Sequence, residues 1–167
     1  MTKHKVFISY YHKDDEEYKN KFEDLFGDIF INKSVKEGDI NSELSDEYIK
    51  RLIREDYISD SSVVVVLVGP HTYCRKHIDW EIYAGLDNNA GLIGLILPTH
   101  SCYSKKKCSN IPKRLAKNVN SDYAKLYNWN ENKETMKKMI EEAFENRIKL
   151  EDKKEIGGLQ MKENRCN

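Results

Sequence analysis

Two stretches of this chain are apolar without interruption, and they set the reading of everything around them. SSVVVVLVG at 61–69 and GLIGLILP at 91–98 show no in–out alternation. A strand with apolar side chains on both faces belongs in the middle of a parallel sheet covered on both sides. Gly69-Pro70 and Pro98 end these runs. KVFISY at 5–10, with its β-branched and aromatic residues, reads as a first strand. DIFIN at 28–32 reads as a short second one, and 123–129 as an edge strand. Between them the spacing turns helical. Tyr18, Phe22, Leu25 and Phe26 share one face of a helix that Asp14 can cap and Gly27 can end. Tyr48, Ile49, Leu52, Ile53 and Tyr57 line a second helix capped by Ser45. A third helix is predicted over 75–88. A last one follows Asn130 or Asn132 and runs to about residue 150, with Met136, Met139, Ile140, Ala143 and Phe144 turned inward. The polar stretches 33–43 and 99–122 read as loops. Residues 151–167 read as a polar, flexible tail, which leaves one domain over 1–150.

Strands alternating with helices predict an α/β fold: a flavodoxin-like three-layer sandwich with about five parallel strands between helices. Ligands of such folds bind at the carboxyl ends of the strands. Three polar segments gather there, at 9–14, 33–43 and 71–81.

The chain has 167 residues, 28 basic and 28 acidic, and a charged fraction of 34%. Zero net charge argues against general nucleic-acid affinity. Lys105–Lys107 reads as a solvated loop rather than a phosphate site. No apolar run reaches the length of a membrane helix, and the N-terminus lacks an apolar signal segment, so a cytoplasmic protein with reduced thiols is expected. Of the four cysteines, none forms a CxxC pair. Cys102 and Cys108 are too far apart in sequence for a tight metal knuckle, although a disulfide between them is an alternative, and no metal centre is expected.

The third helix holds the chemistry worth weighing. His77 and Glu81 lie four apart and share a face. Spacing alone favours an ordinary surface pairing of Glu81 with Arg75, Lys76 or His77. The other readings are a ligand-facing carboxylate, a two-residue metal site with His77, or a Cys74 nucleophile at a helix N-terminus. Neither GxGxxG nor a P-loop is present. Tyr10 and Tyr11 are able to stack on a nucleobase, though core packing of one is the commoner use.

The order of these motifs resembles the TIR domain superfamily over about 1–129, and most closely the TIR-like branch of bacterial Thoeris anti-phage defence. KVFISYYHKDD (5–15) is similar to the first TIR motif, and 33–43 lies where that family has its BB loop. SDEYIKRLIREDYISDSSVVVVLVG (45–69) is similar to the family's second helix and central strand, and GLIGLILP (91–98) to the next core strand. TYCRKHIDWEIYAGL (72–86) occupies the segment usually written Ser-x-Trp-Cys-x-x-Glu-Leu. Glu81-Ile82 matches its end, while His77 and Ile78 replace its Trp and Cys. The Arg-Asp and Pro-Gly pairs usual in the BB loop are also absent; Gly38-Asp39 is a partial echo.

The resemblance implies an NAD+-cleaving enzyme of glycohydrolase or cyclase type, with NAD+ as substrate and no separate cofactor. It implies Glu81 as the catalytic carboxylate. Phe7, Ser9, Tyr10 and His77, with Asp39 and Asn41 from the BB loop, would contact substrate. It also implies self-association for activity, an activator arising from phage infection, and a nucleotide product read by a separate effector protein. The competing reading is a non-catalytic interaction module on the same fold. A response-regulator-like domain is disfavoured, because Val68-Gly69 stand where its phosphoacceptor Asp would end the third strand. A nucleoside deoxyribosyltransferase-like enzyme is disfavoured by the motif order.

Overall fold

A computed structural model describes residues 3–34 and 43–166. Asp39 and Asn41, and with them most of the expected BB loop, lie outside the described residues.

Five parallel strands form one sheet: β1 (His4–Ser9), β2 (Phe30–Asn32), β3 (Val63–Val68), β4 (Gly91–Ile96) and β5 (Lys125–Asn128), in the order β2-β1-β3-β4-β5. The helices are α1 (His12–Phe26), α2 (Asp46–Leu52), α3 (Lys76–Asp87), α4 (Lys113–Asn120) and α5 (Lys133–Lys149). This is the predicted α/β, flavodoxin-like arrangement. Every residue of β3 and β4 is buried, as their unbroken apolar runs require.

The sheet divides the core by strand parity. Phe7, Val64, Val66, Val68 and Leu92 pack against Ile49 and Ile53, against Ile78 and Ile82 of α3, and against Leu115 of α4. Val6, Ile8, Val63, Val65, Leu67, Ile93 and Leu95 pack against Phe22 and Phe26 of α1 and against Met136 and Ile140 of α5. Side chains alternate across a strand, so Phe7 and Ser9 of β1 face the α3 side, while Ile8 and Tyr10 face α1 and α5.

Local signals fare well where side chains act on their own backbone. Ser45 Oγ accepts from the Tyr48 amide at 3.3 Å, and Asn132 Oδ1, rather than Asn130, accepts from Thr135 at 2.9 Å to cap α5. Gly27 follows the last turn of α1. Several expectations need correcting. Asp14 does not cap α1; the helix starts at His12, and Asp14 and Asp15 sit in its first turn. The second helix stops at Leu52 and continues as a π-helical turn, Ile53–Ile58, which carries Tyr57. The stretch read as loop over 99–122 contains α4.

The thiols and the tail also depart from expectation. Cys74 and Cys166 are joined in a disulfide with Cα atoms 5.3 Å apart, so they are not free thiols, whereas Cys102 and Cys108 are free. Where fraying is predicted beyond residue 150, the chain instead runs back over α4 and α3. Asn118 bonds Glu155 at both its carbonyl and its amide (2.8 and 2.9 Å), and the Trp80 indole donates to Met161 O at 2.7 Å. Asn164 Oδ1 accepts from the Lys76 amide at 2.9 Å, just before the disulfide. No helix among the described residues is long and apolar enough to cross a membrane.

Candidate active site

In this strand order the chain leaves β1 toward one edge and β3 toward the other. The crevice at the carboxyl ends of β1 and β3 is therefore the topological switch point, where sheets of this kind bind ligands. Ser9, the last residue of β1, is in register with Val66 of β3. Its side chain is fully buried and turned toward α3.

There it meets Glu81. Ser9 Oγ donates to Glu81 Oε1 at 2.7 Å, across 72 residues of sequence. Glu81 is only 7% exposed, so it is not the surface ion-pair partner of Arg75, Lys76 or His77 that spacing favours. Among the described residues the Ser9 hydroxyl is the hydrogen-bond partner of this carboxyl, and no cation pairs with it. Burial pushes the Glu81 carboxyl up to about 8, and the Ser9 hydrogen bond pulls the other way. At neutral pH the group thus keeps much of its proton until something positive approaches.

The other predicted residues separate in space. Phe7 has no exposed surface and underlies Ser9 as core. Tyr10 lies on the opposite face of the sheet, stacks on His12 with ring centroids 4.4 Å apart, and donates to Glu16 at 2.7 Å. Burial and Glu16 raise its phenol well above the ordinary range. His77 packs on Trp80 at 5.0 Å, and burial, then Lys76 and Arg75, lower its pKa. Its ring therefore favours the neutral form. Trp80 itself is buried between that ring and the cations of Lys50 and Lys76, 5.0 and 5.3 Å from its ring. Cys74, tied into the disulfide, is no nucleophile.

Sequence reasoning missed Asp15. It is buried beneath the first turn of α1, where acids are expected to sit exposed and complement the dipole. Its carboxyl fills the space beside Gly69: a Cβ there would lie 2.3–2.6 Å from the carboxyl atoms. Thr72 Oγ1 accepts from the Gly69 amide at 2.8 Å and lies 3.5 Å from Asp15 Oδ2. Burial, then Asp14, raise the Asp15 carboxyl to about 7. Asp14 itself meets His71 Nδ1 at 2.5 Å. The Gly-Pro after β3 was the available signal, since a glycine there marks a close approach as readily as a strand end. A cleft of about 740 Å³ lined by Lys5, Ser62, Asn89 and Arg147 opens at the amino ends of the strands and does not include Glu81.

Residues 7–102 match the family described as Thoeris protein ThsB, TIR-like domain. The match covers more than half of the chain, from β1 through β4 and into the following loop. The chain belongs to the ThsB TIR-like family. Both Ser9 and Glu81 fall inside the matched segment, whereas α4, β5, α5 and the tail fall beyond it. As a member of that family it is a TIR-like protein of Thoeris defence. No curated protein matches the chain.

Proposed function

We propose that this TIR-like protein cleaves NAD+ between nicotinamide and ribose, with Glu81 as the catalytic carboxylate. The observation that carries the reading is the buried Glu81 carboxyl, hydrogen-bonded by Ser9 at the β1/β3 switch point. Breaking the glycosidic bond to a cationic nicotinamide builds positive charge on the ribose, as in glycoside hydrolysis. A carboxylate in a water-poor site stabilises that charge far better than one in water. The elevated Glu81 pKa fits this role: the approach of a cation favours ionisation when substrate is bound. The Ser9 hydroxyl orients the carboxylate. Nicotinamide departs with the bonding electrons, and the anomeric carbon is completed by water, giving ADP-ribose, by a nucleophile within the substrate, giving a cyclic form, or by a second nucleophile that loses its proton, giving a conjugate. In this reading the product is a signal for a separate effector protein, made on phage infection by a self-associated form. Phe7 supports Ser9 on the α3 side of the sheet, His77 lies one turn before Glu81 on α3, and Tyr10 lies on the other face.

The test is NAD+ consumption with product analysis by mass spectrometry, on wild type and Glu81→Gln. Both are assayed at high protein concentration and in lysate of phage-infected cells. The expected result is nicotinamide plus an ADP-ribose-related product from wild type alone. Folded wild type that leaves NAD+ intact under both conditions replaces this reading with the interaction module.

A further inference from the structure

The loop after β4 holds a second group of reactive side chains, which the proposed chemistry at Glu81 does not use. His100, Cys102 and Cys108 bring one ligand atom each to within 4.8 Å of one another. Tight turns close the five residues between the cysteines: Tyr103 N donates to His100 O at 3.0 Å, Lys105 N to Cys102 O at 2.9 Å, and Ser104 takes a φ of 60°. Ser104 N also donates to Asn128 Oδ1 at 3.0 Å, which anchors the loop to β5.

We propose that His100, Cys102 and Cys108 form a binding site for zinc. The ring of His100 is held in the form a metal needs. A backbone amide is only a donor, so the Cys102 amide, 2.9 Å from Nδ1, requires a lone pair on that nitrogen. The proton is then on Nε2, which donates to Asn110 O at 3.1 Å. A metal-ligating histidine ordinarily gives its other N–H to a backbone carbonyl in this way. The metal takes the Nδ1 lone pair in place of the Cys102 amide. Ser109 holds the Cys102 sulfur in place: its amide donates to Sγ at 3.1 Å, and the thiol donates to its carbonyl at 3.3 Å.

The ligand set selects the metal. Two sulfurs and an imidazole suit zinc rather than calcium or magnesium. Tetrahedral zinc, with bonds of about 2.3 Å to sulfur and about 2.0 Å to nitrogen, sets its ligand atoms roughly 3.5–3.8 Å apart, so the group closes by about 1 Å. Two thiolates neutralise the ion, and each thiol releases its proton to solvent on binding. His100 and Cys102 are buried while Cys108 is exposed, so the fourth position faces solvent. The bound ion would pin the β4–α4 loop.

The test uses the full chain, stripped with chelator and titrated with Zn2+ and with Co2+. The expected result is one ion per chain and a thiolate-to-cobalt charge-transfer absorption. Cys108→Ser is the decisive variant, because an exposed side chain can be replaced without disturbing the core. It should weaken binding by more than the roughly 10–100-fold that loss of an outer partner costs. His100→Ala should do the same, and Cys74→Ser should leave binding unchanged. The proposal is overturned by wild type without the charge-transfer absorption, by Cys108→Ser binding like wild type, or by a Cys102–Cys108 disulfide that persists under mild reductant.

Discussion

The two faces of α3 carry carboxylates of equal burial and opposite circumstance. Asp79 and Glu81 are both 7% exposed. Asp79 meets the Arg114 guanidinium through two contacts, 2.9 and 3.3 Å, and accepts from the Met161 amide at 2.7 Å. Glu81 meets a neutral hydroxyl. A buried charge is tolerable when a counter-charge and hydrogen bonds replace its water, and otherwise the group holds its proton. Asp79 therefore ties α3 to α4 and the tail. Glu81 is a carboxyl kept in reserve, at a cost in stability that a purely structural residue would not carry.

The largest effect is expected from breaking the satisfied face. Arg114→Ala leaves Asp79 buried without its counter-charge, and loss of one partner of such a pair typically costs about 3–5 kcal/mol. Urea unfolding should show this as a lower midpoint with an unchanged slope; a change below about 1 kcal/mol would mean that Asp79 does not depend on Arg114.

On the other face, Glu81→Gln should stabilise. The folded carboxyl keeps its proton to about 8, against an ordinary value of 4.5. Between those values the folded state binds the extra proton, so stability falls as pH rises through this window. Gln removes that decline, a gain of up to roughly 4 kcal/mol at pH 8 and none at pH 4. Thermal unfolding of the two proteins across pH 4–9 checks it, and parallel curves would contradict it. Asp15, raised to about 7, adds a similar decline over a lower range that the variant retains.

Opening the Cys74–Cys166 bridge sharpens the comparison from the side of the tail. Cys166→Ser should cost about 2–4 kcal/mol, the usual effect of a disulfide closing a long loop. It should also raise hydrogen exchange at Met161, whose amide serves Asp79, and leave Ser9 and Glu81 alone. The smallest effect belongs to Ser9→Ala. It removes the hydrogen bond from Ser9 that, among the described residues, favours the Glu81 anion, so the carboxyl should titrate still higher by carbon-detected NMR, with a stability change of about 1 kcal/mol. An unmoved titration would show that Ser9 does not hold Glu81.

Much of the fold is legible in the chain. The unbroken apolar runs of β3 and β4 demand a covered parallel sheet, and Ser45 and Asn132 announce their helices. Helix α4 is illegible for a physical reason. Its buried residues are Arg114, Leu115 and Asn118, two of them polar. Arg114 binds Asp79, and Asn118 binds Arg114 O and Glu155. In eight residues the apolar spacing of α4, Leu115 and Val119, spans a single turn, and most of its buried face is polar, so the helix does not stand out from the polar loop around it. The tail is illegible because its backbone, rather than its side chains, makes most of the contacts with Arg114, Trp80 and Asn118.

What the sequence alone determined is what depends on neighbours within a few residues: strand against helix, the caps, and the parallel class that follows from them. It also placed Glu81 on a helix after the central strand, at the ligand-binding end of the sheet. Only the tertiary structure decided what kind of carboxyl Glu81 is. Ionisation depends on lost water and on partners brought from afar. Ser9 comes to Glu81 across 72 residues, while Arg114 comes to Asp79 across 35. The same helix thus carries one spent charge and one held in reserve, and the difference lies in which remote segments fold against each face.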